Sequence, residues 1–405
     1  MPAGRIAPRT ARLVLVTPAA VVVGALPAFP VATPWWQDIG PVVAAARDIH
    51  HIDVVVLRLL EAERDQAPGG RVTYLAELHG SAPAATEPWS GALEDHPLRL
   101  SYARPGGPAA DLAWAAQALA DHGRHFEGRP AQIRTWNLSS AWRIGANLGA
   151  VWLKVTPPFL AHEGAALAQL AGEAVPILVA REGGRVLLEE IAGDDLYGAG
   201  AAQQLAMVSL LVRLQAARIG RAEALLALGL PDWRGPSLCA LISVLFERIG
   251  DQLTAEDRAA LRPFVRGLPR RMADIAAEGI GDTLIHGDCH PGNFRGSGLE
   301  FRLLDWGDSG VGHPLLDQPA FLERAVGDMA AVSEHWHRLW REAVPGCDPT
   351  RAARLLAPVA VARQAAVYQR FLDGIEPSEH PYHRADPAER LRRTAALLRA
   401  EAART

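Results

Sequence analysis

Two short segments in the C-terminal half hold the residue types that could do chemistry. Leu284-Ile-His-Gly-Asp-Cys-His-Pro-Gly-Asn-Phe294 sets Asp288 five positions before Asn293, and Leu303-Leu-Asp-Trp-Gly-Asp-Ser-Gly310 follows with Asp305. A carboxylate can take the proton of a hydroxyl, while an amide oxygen and a second carboxylate can share a hard cation. In that order and at that spacing these groups suit phosphoryl transfer, where positioning and charge neutralisation do most of the catalytic work. Gly287, Pro291 and Gly292 make the first segment a loop.

A second signal is independent of the first. Lys154, in Val151-Trp-Leu-Lys-Val155, is the only lysine in the chain, so the other forty of the 41 Lys plus Arg residues are arginine. On a solvated surface the two are nearly exchangeable, but at a phosphate a compact ammonium acts as a point charge and a guanidinium as a planar fork. A lysine kept against such a bias marks Lys154 as the expected anchor of the α- and β-phosphates.

Together the His286-Gly-Asp-Cys-His-Pro-Gly-Asn293 loop and the Leu304-Asp-Trp306 segment resemble the aminoglycoside phosphotransferase and choline kinase family. The resemblance implies a bilobal, protein-kinase-like α+β fold with a small β-rich lobe and a large helical lobe. It also implies ATP and Mg²⁺ as cofactors. Asp288 would be the catalytic base, Asn293 and Asp305 the metal ligands, and His286 a brace for the loop. Asp308 would be a further metal contact or a group that binds the loop, and Asp317 the structural aspartate that follows the metal loop. Glu163, near the start of a helix after the lysine strand, would pair with Lys154. Backbone groups of Glu190 and Ile191 would form the hinge that binds adenine.

The elements expected to carry these groups begin near 131. Strand-like runs at Ile133–Asn137 and Ala141–Ile144 flank a tight segment, Asn137-Leu-Ser-Ser140, which makes Ser139 and Ser140 the expected phosphate loop. No glycine-rich Gly-x-Gly-x-x-Gly loop stands there, which favours a small-molecule kinase over a protein kinase. A helix is expected over 161–170, and Ile177–Val179 and Val186–Ile191 form a hairpin across Gly183-Gly184. Helices are expected over 201–217, 236–250, 262–278, 349–371 and 387–403. The expected domains are residues 1–108, a helical connector at 109–130, and a kinase domain at 131–405 with its lobes dividing near 192.

The first 108 residues read as a small α+β unit, with strands at Leu13–Val16, Ile52–Leu59, Arg71–Leu78 and Leu98–Tyr102 and a helix near Ile39–Ile49. The layout is similar to that of Nudix domains, but the Nudix catalytic box is absent, so the unit is expected to be non-catalytic. Residues 13–32 are almost wholly apolar behind Arg5, Arg9 and Arg12, which copies part of a signal peptide. Pro18, Gly24, Pro27 and Pro30 break the run too often for a hydrophobic helix, and two buried strands with a turn near Pro18 are expected.

Apolar residues make up 49% of the chain and charged residues 21%, ordinary for a globular protein, and the net charge of −4 provides no basic field for nucleic acid or anionic lipid. Three separated cysteines give no disulfide framework or zinc ribbon, so a reducing cytoplasm is expected. The functional reading is an ATP- and Mg²⁺-dependent transfer to a hydroxyl of a small polar molecule, aminoglycoside-, amino alcohol- or sugar-like. No nucleic-acid or membrane partner is expected. The alternatives are a silent ATP-binding regulator and a protein kinase. Tyr368, Asp373, Glu376 and Glu379 offer acids that would suit an amine-bearing acceptor.

Overall fold

The computed structural model describes residues 7–83, 85–91 and 93–404. They divide into two compact units. The first holds the chain up to Ala161 with Leu178–Glu190 and Arg370–Ala385, and the second holds His162–Ile177, Ile191–Gln369 and the chain from Asp386 onward.

The first unit opens with β1 (Arg9–Val16), β2 (Val22–Ala25), β3 (Phe29–Val31), α1 (Gly40–His50), β4 (Asp53–Ala62) and β5 (Gly70–His79). The sheet order is β2-β1-β5-β4, with β3 also paired to β1; β1 and β5 run parallel and the other pairs antiparallel. Leu13 to Val16 are all buried because both faces of β1 are covered. Leu13, Leu15, Val56 and Tyr74 pack with Trp36 and Val42 on one side, and Val14, Val16, Leu57 and Leu75 pack together on the other. The apolar run therefore folds as strands joined by a turn in which Thr17 N–H bonds Val21 O at 2.9 Å. Among the described residues no helix is long and apolar enough to cross a membrane.

The strand expected over Leu98–Tyr102 is not one. Leu98 N–H goes to the His96 ring and Arg99 N–H to the His96 carbonyl, so the backbone donors a sheet would use close a turn, and a 3₁₀ turn follows at Ser101–Ala103. Then come α2 (Gly107–Ala120) and a second sheet of β6 (Ala131–Trp136), β7 (Ser139–Ile144), β8 (Val151–Val155), β9 (Leu178–Glu182) and β10 (Arg185–Glu189), antiparallel in the order β6-β7-β8-β10-β9. Ala115 and Leu119 of α2 bury Val151, Leu153 and Val155 of the central strand.

Arg370–Ala385 completes this unit. The Tyr382 ring meets Trp36 and Trp136 edge-on. Glu379 accepts the Leu59 N–H at 3.0 Å, and Glu376 takes Arg99 at 2.8 Å with Arg58 at 3.6 Å. Both carboxyls are buried. The expectation that they face an amine-bearing acceptor is therefore corrected: the Glu376 charge pairs with Arg58 and Arg99, and the Glu379 carboxyl bonds the Leu59 backbone, so both hold this segment to the rest of the unit.

The second unit comprises α3 (Glu163–Gln169), β11 (Asp194–Asp195), α4 (Ala201–Ala216), α5 (Ala222–Ala227), α6 (Gly235–Ile249), α7 (Ala255–Ala276), β12 (Thr283–Ile285), β13 (Phe294–Ser297), β14 (Glu300–Leu303), β15 (Gly310–Gly312), α8 (Gln318–Arg324), α9 (Met329–Ala343), most of α10 (Pro349–Gly374) and α11 (Asp386–Ala402). Helix α7 starts at Ala255, not at Arg262 as its prolines suggest. Thr254 caps it by accepting the Asp257 N–H, and Pro263 and Pro269 lie on its exposed side.

Candidate active site

The spacing between the two chemical segments is explained by one hairpin. Residues 294–303 fold as β13 and β14, with Phe294 opposite Leu303, so Asn293 and Leu304 leave the same end of the ladder. Leu304 N–H bonds Asn293 O at 2.7 Å. A second ladder, β12 against β15, pairs Ile285 with Gly310, so the loop that starts at His286 and the loop that ends at Ser309 also share an end. Asp288, Asn293 and Asp305 are thereby gathered into one pair of adjoining loops. Asp305 sits at φ 59°, ψ 66°, a left-handed conformation that an aspartate tolerates better than most residues and that is enriched where function fixes the backbone.

Asn293 Nδ2 donates to the Asp288 carbonyl at 2.9 Å, which leaves Oδ1 as the amide atom for a cation. With the Asp305 carboxylate this makes an all-oxygen donor set, the chemistry that Mg²⁺ requires.

The loops are braced from behind. Asp317 is fully buried and its carboxylate accepts His286 N–H at 2.9 Å, Gly287 N–H at 2.7 Å and Gln215 Nε2 at 2.8 Å. Burial pushes its carboxyl above the ordinary range while those backbone bonds pull it back. His286 Nδ1 accepts the Asp288 N–H, so the ring donates from Nε2 to Leu304 O at 2.7 Å. Burial lowers the His286 pKa, and the neutral ring ties the base loop to the metal loop, with Trp306 against its edge at 4.8 Å. Gly287 has φ +90°, and a Cβ there would lie 2.0 Å from the Asp308 carbonyl, so only glycine fits.

Asp288 faces two cationic or donor groups. His290 Nδ1 accepts Gly292 N–H, which puts the proton on Nε2, 3.5 Å from Asp288 Oδ2. Arg324 Nη1 lies 3.5 Å from Oδ1. Burial raises the Asp288 pKa, but the His290 bond and then the Arg324 charge outweigh it and hold the carboxyl below its ordinary value. The Asp288 carboxylate is ionised at neutral pH.

The remaining expected residues lie on the lobe elements. In the first unit Lys154 is on β8, the middle strand of its sheet, opposite Ala141 and Val186. Its neighbours Leu153 and Val155 point into the core, so the alternation of the strand turns Lys154 to the other face. In the second unit Glu163 is the first residue of α3 and is buried. Glu190 N–H bonds Ala150 O and its carboxylate takes Arg143 at 2.9 Å, while Ile191 O accepts Arg295 Nε at 2.9 Å. The chain passes from the first unit to the second between these two residues.

Ser139 and Ser140 are not loop residues. The turn is Asn137-Leu138, and the serines open β7, buried, with Ser139 Oγ accepting Trp136 Nε1 and Ser140 Oγ accepting Trp142 Nε1. Strand register turns their hydroxyls toward tryptophans, which the polar composition of the segment did not reveal.

Two residues in contact with these loops carried no sequence signal. Arg363 on α10 and Arg324 on α8 are two arginines among forty, 55 and 19 residues beyond Asp308 and Asp305, with no motif around them. Arg363 is fully buried, donates to Gly287 O at 3.0 Å and Asp308 O at 3.2 Å, and lies over the Trp233 ring at 4.5 Å.

A β-rich unit and a helical unit, with two loops that adjoin through the β12–β15 and β13–β14 ladders, define a protein-kinase-like α+β fold. Residues 134–318 match the model of the phosphotransferase enzyme family. Among solved structures, a Ralstonia eutropha JMP134 protein assigned as an aminoglycoside phosphotransferase is 18% identical, with 73% of this chain and 98% of that one covered and a TM-score of 0.50. That likeness shows the fold. The macrolide 2'-phosphotransferase of Brachybacterium faecium is 18% identical over 69% of this chain and 97% of its own, at a TM-score of 0.48. A choline/ethanolamine kinase family protein from Mesorhizobium loti is 17% identical over 71% and 95%, also at 0.48. A comparison with curated proteins finds no match.

Proposed function

We propose that the protein transfers the γ-phosphate of ATP to a hydroxyl of a small polar molecule, with Mg²⁺ as cofactor. The observation that supports this reading is the closure of the two loops on each other: the Asn293 side-chain N–H donates to the Asp288 carbonyl, and the Asn293 carbonyl accepts the Leu304 N–H, so the segments that carry Asp288, Asn293 and Asp305 adjoin.

In the reaction the hydroxyl oxygen forms a bond to the γ-phosphorus as the bond to the β,γ-bridging oxygen breaks, and ADP leaves. Asp288 holds the hydroxyl in line and receives its proton at a carboxylate oxygen, a role worth on the order of 10²–10⁴ in rate. Asn293 and Asp305 would hold Mg²⁺, which when bound offsets the charge on the phosphate oxygens. Lys154 binds phosphate oxygens as a point charge. His286 and Asp317 keep the loop in register, and His290 orients the Asp288 carboxylate.

The test is ADP release with Mg²⁺-ATP across hydroxylated acceptors of different charge, with Asp288→Asn as control. Acceptor-dependent release in the wild type that is lost in Asp288→Asn supports the reading. Release that survives the substitution contradicts the role of the base.

A further inference from the structure

The setting of Asp288 bears on the charge of the molecule whose hydroxyl it would meet. Arg324 stands in the last turn of α8, 38% exposed at its side chain. Its approach to Asp288 at 3.5 Å is its one ion pair among the described residues, and no hydrogen bond involves it there. A guanidinium carries five N–H donors in a fixed fork. Here it is held beside the base with most of them unused.

The neighbouring charges do not reverse this. Glu323 is engaged by both Arg390, at 3.2 Å, and Arg393. Arg390 also lies 5.9 Å over the Tyr368 ring, and the Tyr368 phenol is pushed up to about 12 by burial, so it stays neutral. Glu376 and Glu379, the acids that would have welcomed an amine, are spent on Arg58, Arg99 and the β4 backbone. Asp386 also lies near the Tyr368 ring, but the charge in direct contact with Asp288 is the Arg324 guanidinium, and an ammonium brought to the carboxylate would sit beside it. A carboxylate or phosphate brought there meets a fork that matches its geometry.

We propose that the acceptor is an anionic hydroxy compound, its carboxylate or phosphate received by Arg324 while its hydroxyl meets Asp288. The proposal rests on the phosphotransferase reading above and names the substrate class of that same site. It makes Arg324 the residue that sets acceptor charge.

The experiment measures initial rates of ADP release with Mg²⁺-ATP for the wild type, Arg324→Gln and Arg324→Lys. The acceptors are gluconate and glyceric acid, glycerol 3-phosphate, the neutral polyols sorbitol and glycerol, and the amines glucosamine and choline. The carboxylate and phosphate arms tell the two anion sources apart. Anionic acceptors are expected to show the lowest KM, and Arg324→Gln to raise it about 10- to 100-fold more than it raises the KM for neutral polyols, the size of a lost charge-assisted bond; the neutral polyols report whatever the loss of the charge beside Asp288 does by itself. Arg324→Lys is expected to recover part of the loss, because it keeps the charge without the fork. Thermal melting of each variant checks that the fold is intact. Preference for the amines, or the same effect of Arg324→Gln on anionic and neutral acceptors, overturns the inference and leaves the phosphotransferase reading standing. Failure of every acceptor in the wild type overturns both.

Discussion

The Arg363 guanidinium donates to the carbonyl of Gly287 at 3.0 Å from the far side of the base loop, and through its second nitrogen reaches the Asp308 carbonyl of the metal loop. One side chain thus spans the loop that carries Asp288 and Asn293 and the loop that carries Asp305 and Asp308. Its charge is buried and its pKa is lowered by that burial, yet the two carbonyls and the Trp233 face supply the stabilisation water would have given.

Arg363→Leu keeps the apolar packing on Trp233 and leaves both carbonyls without a donor. It should destabilise the protein by about 2–4 kcal/mol, and a shift of the loops by a fraction of an ångström should lower kcat by about 10²-fold. Chemical denaturation and ADP release measured together check this. An unchanged kcat at reduced stability would make Arg363 a packing residue only.

Asp305→Asn removes a charge from the metal pair but retains a residue type that accepts the left-handed backbone at φ 59°. Thermal stability should be nearly unchanged, while Mg²⁺-dependent turnover falls by about 10²–10³-fold, the usual loss when one transition-state charge partner is removed. Full turnover in this variant would sink the metal assignment.

Lys154→Arg preserves the charge on β8 and exchanges a point for a plane. We expect turnover to fall by about 10²-fold and the KM for ATP to rise, because a fork cannot occupy the place of a compact ammonium. If both constants stay at their wild-type values, the single lysine of the chain has no special role.

Glu379 gives the stability a pH dependence of defined sign. Burial raises its pKa from 4.5 to about 8, so between those values the folded state holds a proton that the unfolded state has lost. Its stabilising contribution is complete below about 4.5 and is lost as the pH rises towards 8. Glu379→Gln keeps an acceptor for the Leu59 N–H and removes the titration. The variant should gain on the wild type by up to about 1.4 kcal/mol per pH unit across that window. Melting temperatures at intervals from pH 4.5 to 8 check it, and parallel curves for the two proteins would contradict it.

The chemistry was legible because it lies in short, contiguous stretches. Asp288, Asn293 and Asp305 fall within eighteen residues, and the hairpin between them is closed by local pairing of Phe294 with Leu303, so spacing alone carries their convergence. Lys154 stands out in the sequence for another reason, that no other lysine occurs in the chain. The apolar run over 13–32 read correctly as strands because prolines and glycines forbid the helix. Ser139 and Ser140 were misplaced because a one-residue difference in where a turn closes decides which hydroxyls face water and which face Trp136 and Trp142. Arg324, Arg363, Glu376 and Glu379 lay beyond sequence altogether. Their partners are tens to hundreds of residues away, and a charged side chain acquires its role only when packing decides which opposite charge it meets and how much water is left around it. The sequence by itself therefore determined the residue types and spacing on which the proposed chemistry rests. Tertiary structure decided how that chemistry is held in place and which charge stands beside the base, because burial and long-range pairing, unlike local spacing, are properties of the folded chain.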